Sequence, residues 1–407
     1  FYFIMNGRLL KLDIEDKVYM NINVKRDINM DYKILNNENY TDLQDHKNKI
    51  INSKEWDKYK KYANEYELIH IPNKKSTAES IALYNPLSRS YFKMIEMIYD
   101  FNLLDIEDES FKSAHLAEGP GGFIEAVYNT SHKIGFKYYS YYGITLKSYS
   151  NDIPGWCNST NLNNCKNVNL SYGLDNTGSL YNYNNIIDFV NKIGLGTCNL
   201  VTGDGGFDFS SDFNKQEQTS FRLIFCEIVT ALLLQKVNGN LVCKFFDLYT
   251  FMTIKLLYFV GCFYEELYIF KPYTSRPGNA EKYIIAKGFR GIDYRYLEKL
   301  LDVIKMWDDN NISDNNISEE IYINDIFDTK IPPSFIKQIR NFNIANSKLQ
   351  IKTIKFTIDL LEKKKDLSEI NKIVEKQVKK ATDWCKKYGE ELNEKSHFIS
   401  RYCITRY

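Results

Sequence analysis

The segment Ala114–Phe123 reads A-H-L-A-E-G-P-G-G-F and is the sharpest local indication of the fold class. Its apolar start is typical of a strand, the glycines and the proline form a turn, and a helix-forming segment follows. Glycine lets the backbone turn tightly and approach a ligand closely, and the first turn of the following helix offers free N–H groups. We interpret the turn as a cofactor site of the nucleotide type, with an ordinary strand-to-helix turn as the alternative.

The spacing of the glycines narrows the class of cofactor. The stretch lacks the G-x-G-x-x-G pattern of a dinucleotide site, and it lacks the G-K-S or G-K-T ending of a phosphate-binding loop. Both facts disfavour a nicotinamide dinucleotide and a nucleoside triphosphate. They favour a cofactor that contains adenosine and no phosphate.

Strand-like runs continue on both sides of this stretch, from about Ser76 to Arg290. Short apolar runs alternate with turns and helical stretches, which predicts an α/β fold with a mostly parallel sheet and helices on both faces. The expected strands are 112–118, 137–145, 198–204, 240–246, 264–270 and 280–287. Only a short turn, K-P-Y-T-S-R-P-G-N, separates the last two, so we expect them to form an antiparallel hairpin at one edge of the sheet.

The segments outside this region have a different character. Residues 1–75 are charged and rich in asparagine, and they predict a small N-terminal subdomain ahead of a main domain at 76–290. From 291 to 407, apolar residues recur at helical spacing, which predicts a helical C-terminal region. Within that region the acidic segment 308–320 is interpreted as an exposed loop.

The composition limits the partners and the compartment. The 53 lysines and arginines nearly balance the 52 aspartates and glutamates, so any nucleic-acid surface must be local. None of the eight cysteines lies in a C-x-x-C pair and several sit in apolar runs, so we expect reduced thiols in an intracellular, reducing compartment and no metal site. The apolar runs are too short to span a bilayer, so we expect no membrane partner.

Three charged residues lie where strands of the expected sheet end or begin. Asp204 follows a strand in T-G-D-G-G-F, Lys244 interrupts an apolar strand in N-L-V-C-K-F-F-D-L-Y-T, and Glu281 opens the antiparallel strand in S-R-P-G-N-A-E-K-Y. The carboxyl ends of parallel strands share one rim with the start of an antiparallel strand, and open α/β sheets bind ligands there, so we expect the three side chains to converge. The alternatives are an aspartate that caps a turn, a lysine that reaches solvent at a sheet edge and a surface glutamate.

A fourth charged residue, Lys93, lies in S-R-S-Y-F-K-M on a predicted helix ahead of the first strand. By itself it is typical of a solvated helix residue. Taken in order with Asp204, Lys244 and Glu281, it resembles the K-D-K-E tetrad of the FtsJ-like, Rossmann-type RNA ribose 2′-O-methyltransferases. The resemblance extends over about Pro86–Phe289 and implies a Rossmann-like methyltransferase sheet. Two pieces, G-I-T-L-K and K-F-F-D-L-Y-T, most resemble the eukaryotic and viral enzymes that methylate the mRNA cap.

This resemblance implies the cofactor and the catalytic residues. The cofactor is S-adenosylmethionine (SAM), and the residues implied in holding it are Glu118, Gly119, Pro120, Gly121, Gly122, Phe123, Thr145 and Asp204. Where the family carries a segment rich in glycine and aspartate, this chain reads Y-G-L-D-N-T-G-S-L, and either Asp175 or Ser179 takes that role. The tetrad is the catalytic set. Lys244 is its general base, with a proton affinity that Lys93 lowers and the two carboxylates raise, and no metal is required.

The substrate implied by the resemblance is RNA, at the first transcribed nucleotides of capped mRNA. Candidate RNA contacts are Lys147, Arg276 and Lys282. Other capping or transcription subunits are further candidate partners, and no DNA is expected. Two alternatives stay open, namely methylation of ribosomal or transfer RNA and a catalytically silent RNA-binding subunit. The implied location is the nucleus or the cytoplasm, including a viral factory or virion for a viral enzyme.

Overall fold

The strands assemble into one large and one small sheet. The computed structural model describes residues 7–15, 17, 19–27, 29, 32–35, 37–50, 54–72, 79–147, 155–157, 159–207, 212–309, 322–363 and 367–402. The strands in these ranges are β1 (Leu9–Leu12), β2 (Ile22–Asp27), β3 (Ser110–Leu116), β4 (Tyr138–Ile144), β5 (Val168–Ser171), β6 (Cys198–Gly203), β7 (Gln235–Phe245), β8 (Tyr264–Phe270), β9 (Lys282–Phe289) and β10 (Tyr322–Phe327). Strands β2 and β10 form the small sheet, and the other eight form the large one.

Helices connect and flank these strands. They are α1 (Asn37–Lys47), α2 (Lys54–Tyr62), α3 (Ser90–Phe101), α4 (Gly122–Ile134), α5 (Thr160–Asn163), α6 (Tyr183–Ile193), α7 (Gln216–Leu234), α8 (Phe251–Cys262), α9 (Tyr294–Asp309), α10 (Pro333–Lys363), α11 (Leu367–Tyr388) and α12 (His397–Tyr402), with a short 3-10 helix at Glu67–Ile69. The long helices α10 and α11 confirm the helical character predicted for the C-terminal region. Among the described residues, no helix combines the length and the apolar character needed to cross a membrane.

The large sheet has the strand order β1-β8-β9-β7-β6-β3-β4-β5. The neighbours from β7 to β5 in this order all run parallel. Strand β9 is antiparallel to β7 and to β8, and β1 is antiparallel to β8. The structure therefore confirms the predicted α/β fold with a mostly parallel sheet and an antiparallel portion toward one edge.

The predicted hairpin of β8 and β9 has an unpredicted neighbour on its outer side. Strand β9 inserts between β7 and β8, and β1 pairs with the free side of β8, with Leu9 opposite Phe270. The outermost strand of this edge thus comes from the start of the chain. A strand of four residues in a charged segment carries too little alternation to be recognised as a partner of β8.

Both faces of the large sheet are covered by helices. Side chains alternate along each strand, so Val201 and Leu241 face one layer while Leu200 and Val242 face the other. The first layer packs on α6, α7 and α8, and the second packs on α3, α4 and α11. The active-site rim described below lies between these two layers, where the parallel strands end.

The segments before and after the main sheet pack together. Strand β2 pairs with β10, and α1 packs against α10. Strand β1 belongs to the large sheet although it lies in the predicted N-terminal subdomain. The domain boundaries at 75 and 290 stay a prediction, and the segment 308–320 lies mostly outside the described residues.

Candidate active site

The four residues of the predicted tetrad meet at the rim where the parallel strands end. Asp204 follows β6, Lys244 is the last residue but one of β7, and Glu281 immediately precedes β9. The ladder between β7 and β9 pairs Lys244 with Tyr283, which places Glu281 beside the end of β7. Lys93 reaches the same rim from α3.

The tetrad forms two ion pairs. Lys244 Nζ lies 3.0 Å from Asp204 Oδ1 and donates a 2.7 Å hydrogen bond to the main-chain oxygen of the same residue. Lys93 Nζ lies 2.8 Å from Glu281 Oε1 and 2.9 Å from Oε2. All four side chains are between 11% and 14% exposed, so the charges are largely withdrawn from water and still reachable from the rim.

The charges of the tetrad set each other's proton affinity. Burial alone would lower the pKa of Lys244, but the carboxylates of Asp204 and Glu281 outweigh it and raise the pKa above its usual value. Burial alone would raise the pKa of Glu281, but Lys93 and Lys244 outweigh it and hold the pKa well below its usual range. Of the two influences predicted for Lys244, the carboxylates are therefore the stronger.

The segment that carries Glu281 is held by α3, the helix of the first tetrad lysine. Glu96 is fully buried, and its carboxylate accepts hydrogen bonds from the N–H groups of Tyr273 (2.6 Å) and Thr274 (2.7 Å). Arg89 Nε donates to the carbonyl oxygen of Thr274 at 3.1 Å. Both Glu96 of α3 and Arg89, which immediately precedes this helix, were missed in the sequence analysis. Arg89 lies four residues before Lys93 and Glu96 lies three residues after it, so the three side chains share one side of the helix. This spacing is the sequence signal that points to Arg89 and Glu96.

Tyr283 is a further site residue that the sequence analysis missed. Its hydroxyl donates a 2.8 Å hydrogen bond to Asp204 Oδ1, and the side chain is fully buried. Its ring centre lies 5.7 Å from that of Phe123, so Tyr283 connects the tetrad to the turn at Glu118–Phe123, which we call the glycine turn. Alternation along β9 puts Tyr283 on the side of Glu281, and this pattern is visible in the sequence.

A buried glutamate, Glu227 of α7, supports the turn that follows β6. Its Oε1 atom accepts a 3.0 Å hydrogen bond from the N–H of Gly205. A Cβ atom at Gly205 would lie only 2.6 Å from that oxygen, so the close approach requires glycine. Burial raises the pKa of Glu227 to about 8, although Lys244 opposes this. Its signal in the sequence is a single acid within the apolar run 223–234.

The glycine turn presents an unpaired carboxyl oxygen. Glu118 is buried, and its Oε1 atom accepts a 2.6 Å hydrogen bond from the N–H of Phe123, while Oε2 has no hydrogen-bond partner among the described residues. Burial, followed by the charge of Asp204, raises the pKa of Glu118 well above its usual range. Gly119 N donates to Thr145 Oγ1 at 3.0 Å, which brings the predicted Thr145 to the turn. A buried acceptor without a donor fits a ligand that supplies an N–H group or a cation.

The segment with the predicted Asp175 and Ser179 packs beside Thr145. A Cβ atom at Gly178 would lie 1.7 Å from the carbonyl oxygen of Thr145, so the two backbones are in close contact. Asp175 is exposed, and its carboxylate accepts hydrogen bonds from Thr177, from Asn182 and from Asn185. These bonds shape the segment itself. The roles of Asp175 and Ser179 toward a cofactor stay predictions.

The three predicted RNA contacts have different surroundings. Lys147 is half-buried, with Nζ 5.4 Å from the ring centre of Tyr172. Arg276 is half-buried and forms two hydrogen bonds with Glu67, at 2.7 and 3.1 Å. Lys282 is 1% exposed, and its ammonium donates to the carbonyl oxygens of residues 246 and 280. An RNA contact by Lys282 is therefore wrong for this structure, because alternation along β9 turns this side chain away from the rim and into the protein.

A cavity of about 470 Å³ opens beside the tetrad. Lys244 and Glu281 form part of its wall, together with Phe207 from the turn after β6. We call it the Lys244 cavity. Among the described residues, no group of three or more histidines, cysteines, aspartates or glutamates is placed to hold a metal ion.

Comparison with known proteins agrees with the motifs. The model of the FtsJ-like methyltransferase family matches residues 86–289, which is half of the chain. The cap-specific mRNA (nucleoside-2′-O-)-methyltransferase 1 of Dictyostelium discoideum is 34% identical over 249 residues, which cover 58% of this chain and 31% of that protein. The human protein of the same name is 31% identical over 228 residues, which cover 51% of this chain and 27% of that protein.

A further relative matches a longer part of the chain. The cap-specific mRNA (nucleoside-2′-O-)-methyltransferase 2 of Pongo abelii is 27% identical over 332 residues, which cover 79% of this chain and 41% of that protein. Among solved structures, a putative ribosomal RNA methyltransferase of Plasmodium falciparum covers 50% of this chain and 99% of its own at 15% identity, with a TM-score of 0.37 that is too low to bear on fold or function. The chain spans less than half the length of each of these three curated relatives. The match over 86–289 confirms the resemblance found in the motifs, and the chain belongs to the FtsJ-like methyltransferase family, which takes its methyl group from SAM.

Proposed function

We propose that the chain transfers a methyl group from SAM to a ribose 2′-hydroxyl of RNA, at the first transcribed nucleotides of capped mRNA. The observation that carries the proposal is the presence of two ion pairs at the open rim beside the glycine turn. Lys244 pairs with Asp204, and Lys93 pairs with Glu281. The matched family and the names of the curated relatives support the reaction class.

The glycine turn suits the proposed cofactor. SAM supplies a sulfonium methyl group, which is already activated for transfer to an oxygen. In our proposal residues 118–123, Thr145 and Asp204 hold SAM, with Asp175 or Ser179 contributing from the adjacent segment. The unpaired Glu118 Oε2 fits the amino group of the methionine part, because a buried carboxylate gains most from a cationic partner.

The proposed chemical step needs a base and a fixed hydroxyl. Lys244 Nζ would take the proton as the O–H bond breaks, and the 2′-hydroxyl oxygen would gain the methyl group. The carbon–sulfur bond of the methyl donor would break at the same time, with its electron pair left on sulfur, so the donor would leave as a neutral thioether. Asp204 and Glu281 orient the amine, and Lys93 orients Glu281. Alignment of the reacting groups contributes up to about 7–11 kcal/mol in good intramolecular models, and general-base help contributes roughly 10²–10⁴-fold.

The raised pKa of Lys244 imposes a condition on this step. In the ligand-free site the ammonium form dominates at neutral pH, and a protonated amine cannot accept the hydroxyl proton. The amine must therefore lose its proton to solvent before each transfer. A cationic cofactor beside the tetrad favours that loss, because like charge lowers the pKa of an amine.

The choice of substrate is tested by methyl transfer to RNA. One RNA sequence, prepared with and without a 5′ cap, is incubated with radiolabelled SAM, and the labelled nucleotide is identified after digestion. We expect label in the 2′-O position of the first transcribed nucleotides of the capped RNA and loss of the signal in Lys244→Ala. Equal labelling of both RNAs would replace the cap proposal with ribosomal or transfer RNA methylation. Failure of the wild-type chain to bind SAM in calorimetry would favour the silent RNA-binding subunit.

Lys147 and Arg276 are proposed RNA contacts because both lie near the rim and carry charges that match phosphate groups. Other capping or transcription subunits are proposed partners of the chain. The seven cysteines among the described residues form no disulfide with one another, which fits the proposed reducing compartment, either nucleus or cytoplasm and, for a viral chain, a viral factory or virion.

A further inference from the structure

The Lys244 cavity has walls from outside the stretch that matches the family. Lys47 at the end of α1 and Trp56 in α2 line one side, and Thr353 of α10 lines another. These segments lie before residue 86 and after residue 289. The flanking regions therefore shape the space next to the proposed base.

The lining of this cavity is positively charged. Its cationic side chains are Lys47, Lys60, Lys244 and Arg276, against two acids, Asp57 and Glu281. Lys60 pairs with Asp57, and the tetrad pairs balance each other. The excess of positive charge thus rests on Lys47 and Arg276.

The carboxylate beside Arg276 is shared with a second arginine. Glu67 is buried, with Arg276 Nη2 at 2.7 Å and Arg89 Nη1 at 3.4 Å. Burial alone would raise the pKa of Glu67, but the two arginines outweigh it and lower the pKa to about 2. The further acids that act on the two arginines include Glu96, whose pKa burial raises, Glu281, which pairs with Lys93, and Asp57, which pairs with Lys60. The group Arg89–Glu67–Arg276 therefore carries one more positive charge than negative.

The carboxylate beside Lys47 is shared in the same way. Asp247 is buried, with Lys47 Nζ at 2.6 Å and Lys282 Nζ at 3.6 Å. Glu217 is the other acid that acts on Lys282; burial raises the pKa of Glu217 to about 7 and lowers the pKa of Lys282. Two lysine ammonium groups thus share the one carboxylate of Asp247. Of the two cations, Lys47 is the one that lines the cavity.

In each of these two groups a pair of cations shares one carboxylate, and one cation of each pair lines the cavity, so the cavity wall favours an anion. We propose that Lys47 and Arg276 bind phosphate groups of the RNA substrate, so that the flanking α1 and the 3-10 helix region position the RNA at the tetrad. This inference rests on the proposed function, since it takes RNA as the ligand. Phe207, which is 41% exposed and lines the same cavity, offers an aromatic face to a base of the bound strand.

The test measures the salt dependence of RNA binding in the full chain. Two fluorescent probes are used in anisotropy titrations: a dinucleotide with a 5′–5′ triphosphate bridge and a single-stranded RNA with a 5′-hydroxyl. The variants are Arg276→Gln and Lys47→Met, which remove charge and keep most of the side-chain volume. Each lost phosphate contact is expected to weaken binding about tenfold and to reduce the slope of log K against log salt by about 0.7. A loss confined to the bridged dinucleotide assigns the contacts to the triphosphate, and a loss confined to the oligonucleotide assigns them to phosphodiesters.

Matched controls separate charge at the cavity from charge elsewhere. Arg295→Gln and Lys299→Met change exposed residues of α9 and are expected to leave affinity and slope unchanged. Unchanged slopes for both probes in folded Arg276→Gln would overturn the proposal even if Lys47→Met does not fold. The proposed function is tested by a different result. If the wild-type chain binds RNA with the expected slopes but transfers no methyl group, the proposed reaction is refuted and the proposed phosphate contacts are not.

Discussion

Asp204 Oδ1 receives the hydroxyl hydrogen of Tyr283 at 2.8 Å and faces Lys244 Nζ at 3.0 Å. One carboxylate oxygen is therefore shared by a neutral donor and by the proposed base. The ring of Tyr283 also packs near that of Phe123, so the same residue contacts the tetrad and the glycine turn. This arrangement ties the direction of the Lys244 amine to the wall of the proposed cofactor site.

Replacing Tyr283 with phenylalanine tests that coupling. The ring stays, and only the hydrogen bond to the carboxylate is lost. A hydrogen bond to a charged group is worth about 1.5–3 kcal/mol, so we expect kcat/KM for methyl transfer to fall at least about tenfold. The affinity for SAM, measured by calorimetry, should stay within about twofold. Tyr268→Phe on the neighbouring β8 is the matched control, and full activity in Tyr283→Phe would contradict the coupling.

The raised pKa of Lys244 predicts an unusual pH profile. The base form is scarce at neutral pH and grows about tenfold with each pH unit below the pKa, which lies above the ordinary lysine value of about 10.4. We therefore expect kcat/KM to keep rising between pH 7 and 9. Lys244→Met should reduce turnover by roughly 10²–10⁴-fold and remove the rise. A flat profile over this range in the wild-type chain would exclude Lys244 as the base.

The raised pKa of Glu118 predicts a pH effect on cofactor binding. Burial and the charge of Asp204 raise this pKa well above its usual range, which favours the protonated carboxyl in the ligand-free site. A cationic amino group beside it favours the carboxylate, so SAM binding should release a proton and tighten as pH rises. Calorimetry in buffers of different ionisation enthalpy counts that proton. Glu118→Gln should abolish the release and weaken binding about tenfold or more. In the control Glu125→Gln, whose carboxylate is bound by Tyr84 and Leu87, proton release should persist.

The lowered pKa of Glu67 predicts how stability depends on acid. A carboxyl with a depressed pKa contributes stability above its unfolded value, about 4.3, and loses that contribution as the pH falls to about 2. The difference corresponds to about 3 kcal/mol. Glu67→Gln lacks the titrating group, so its deficit in unfolding free energy should be large at pH 6 and shrink toward pH 2. Urea unfolding at both pH values measures this. A deficit of constant size would show that the loss is not electrostatic.

Much of the rim was predictable because its signals are local. A glycine turn after a strand, an aspartate at a strand end and a lysine inside an apolar run each stand within a few residues of the element that positions them. The short separation of β8 and β9 likewise fixed their antiparallel pairing. In a parallel sheet the strands end at the same edge, so the residues that give these separate signals lie at one rim.

The missed contacts depend on residues that are distant in sequence. The pairing of β1 with β8, the pairing of β2 with β10 and the bond from Arg276 to Glu67 each join segments with no shared pattern. Its basic side chain and its position next to Glu281 suggest from the sequence that Lys282 contacts RNA. The alternation of β9 argues against this, since neighbouring residues of a strand face opposite sides. The same alternation places Tyr283 on the side of Glu281 and so identifies it as a site residue.

The shared carboxylates at the Lys244 cavity have a practical consequence for anyone who shortens this chain. Cutting it to the stretch that matches the family would leave Arg89 and Arg276 without Glu67, and Asp247 without Lys47. Loss of one partner from a buried ion pair costs about 3–5 kcal/mol, and whole domains are stable by only about 5–15 kcal/mol. A truncated enzyme, or a graft of its catalytic motifs onto another scaffold, therefore needs the segments that carry Lys47 and Glu67.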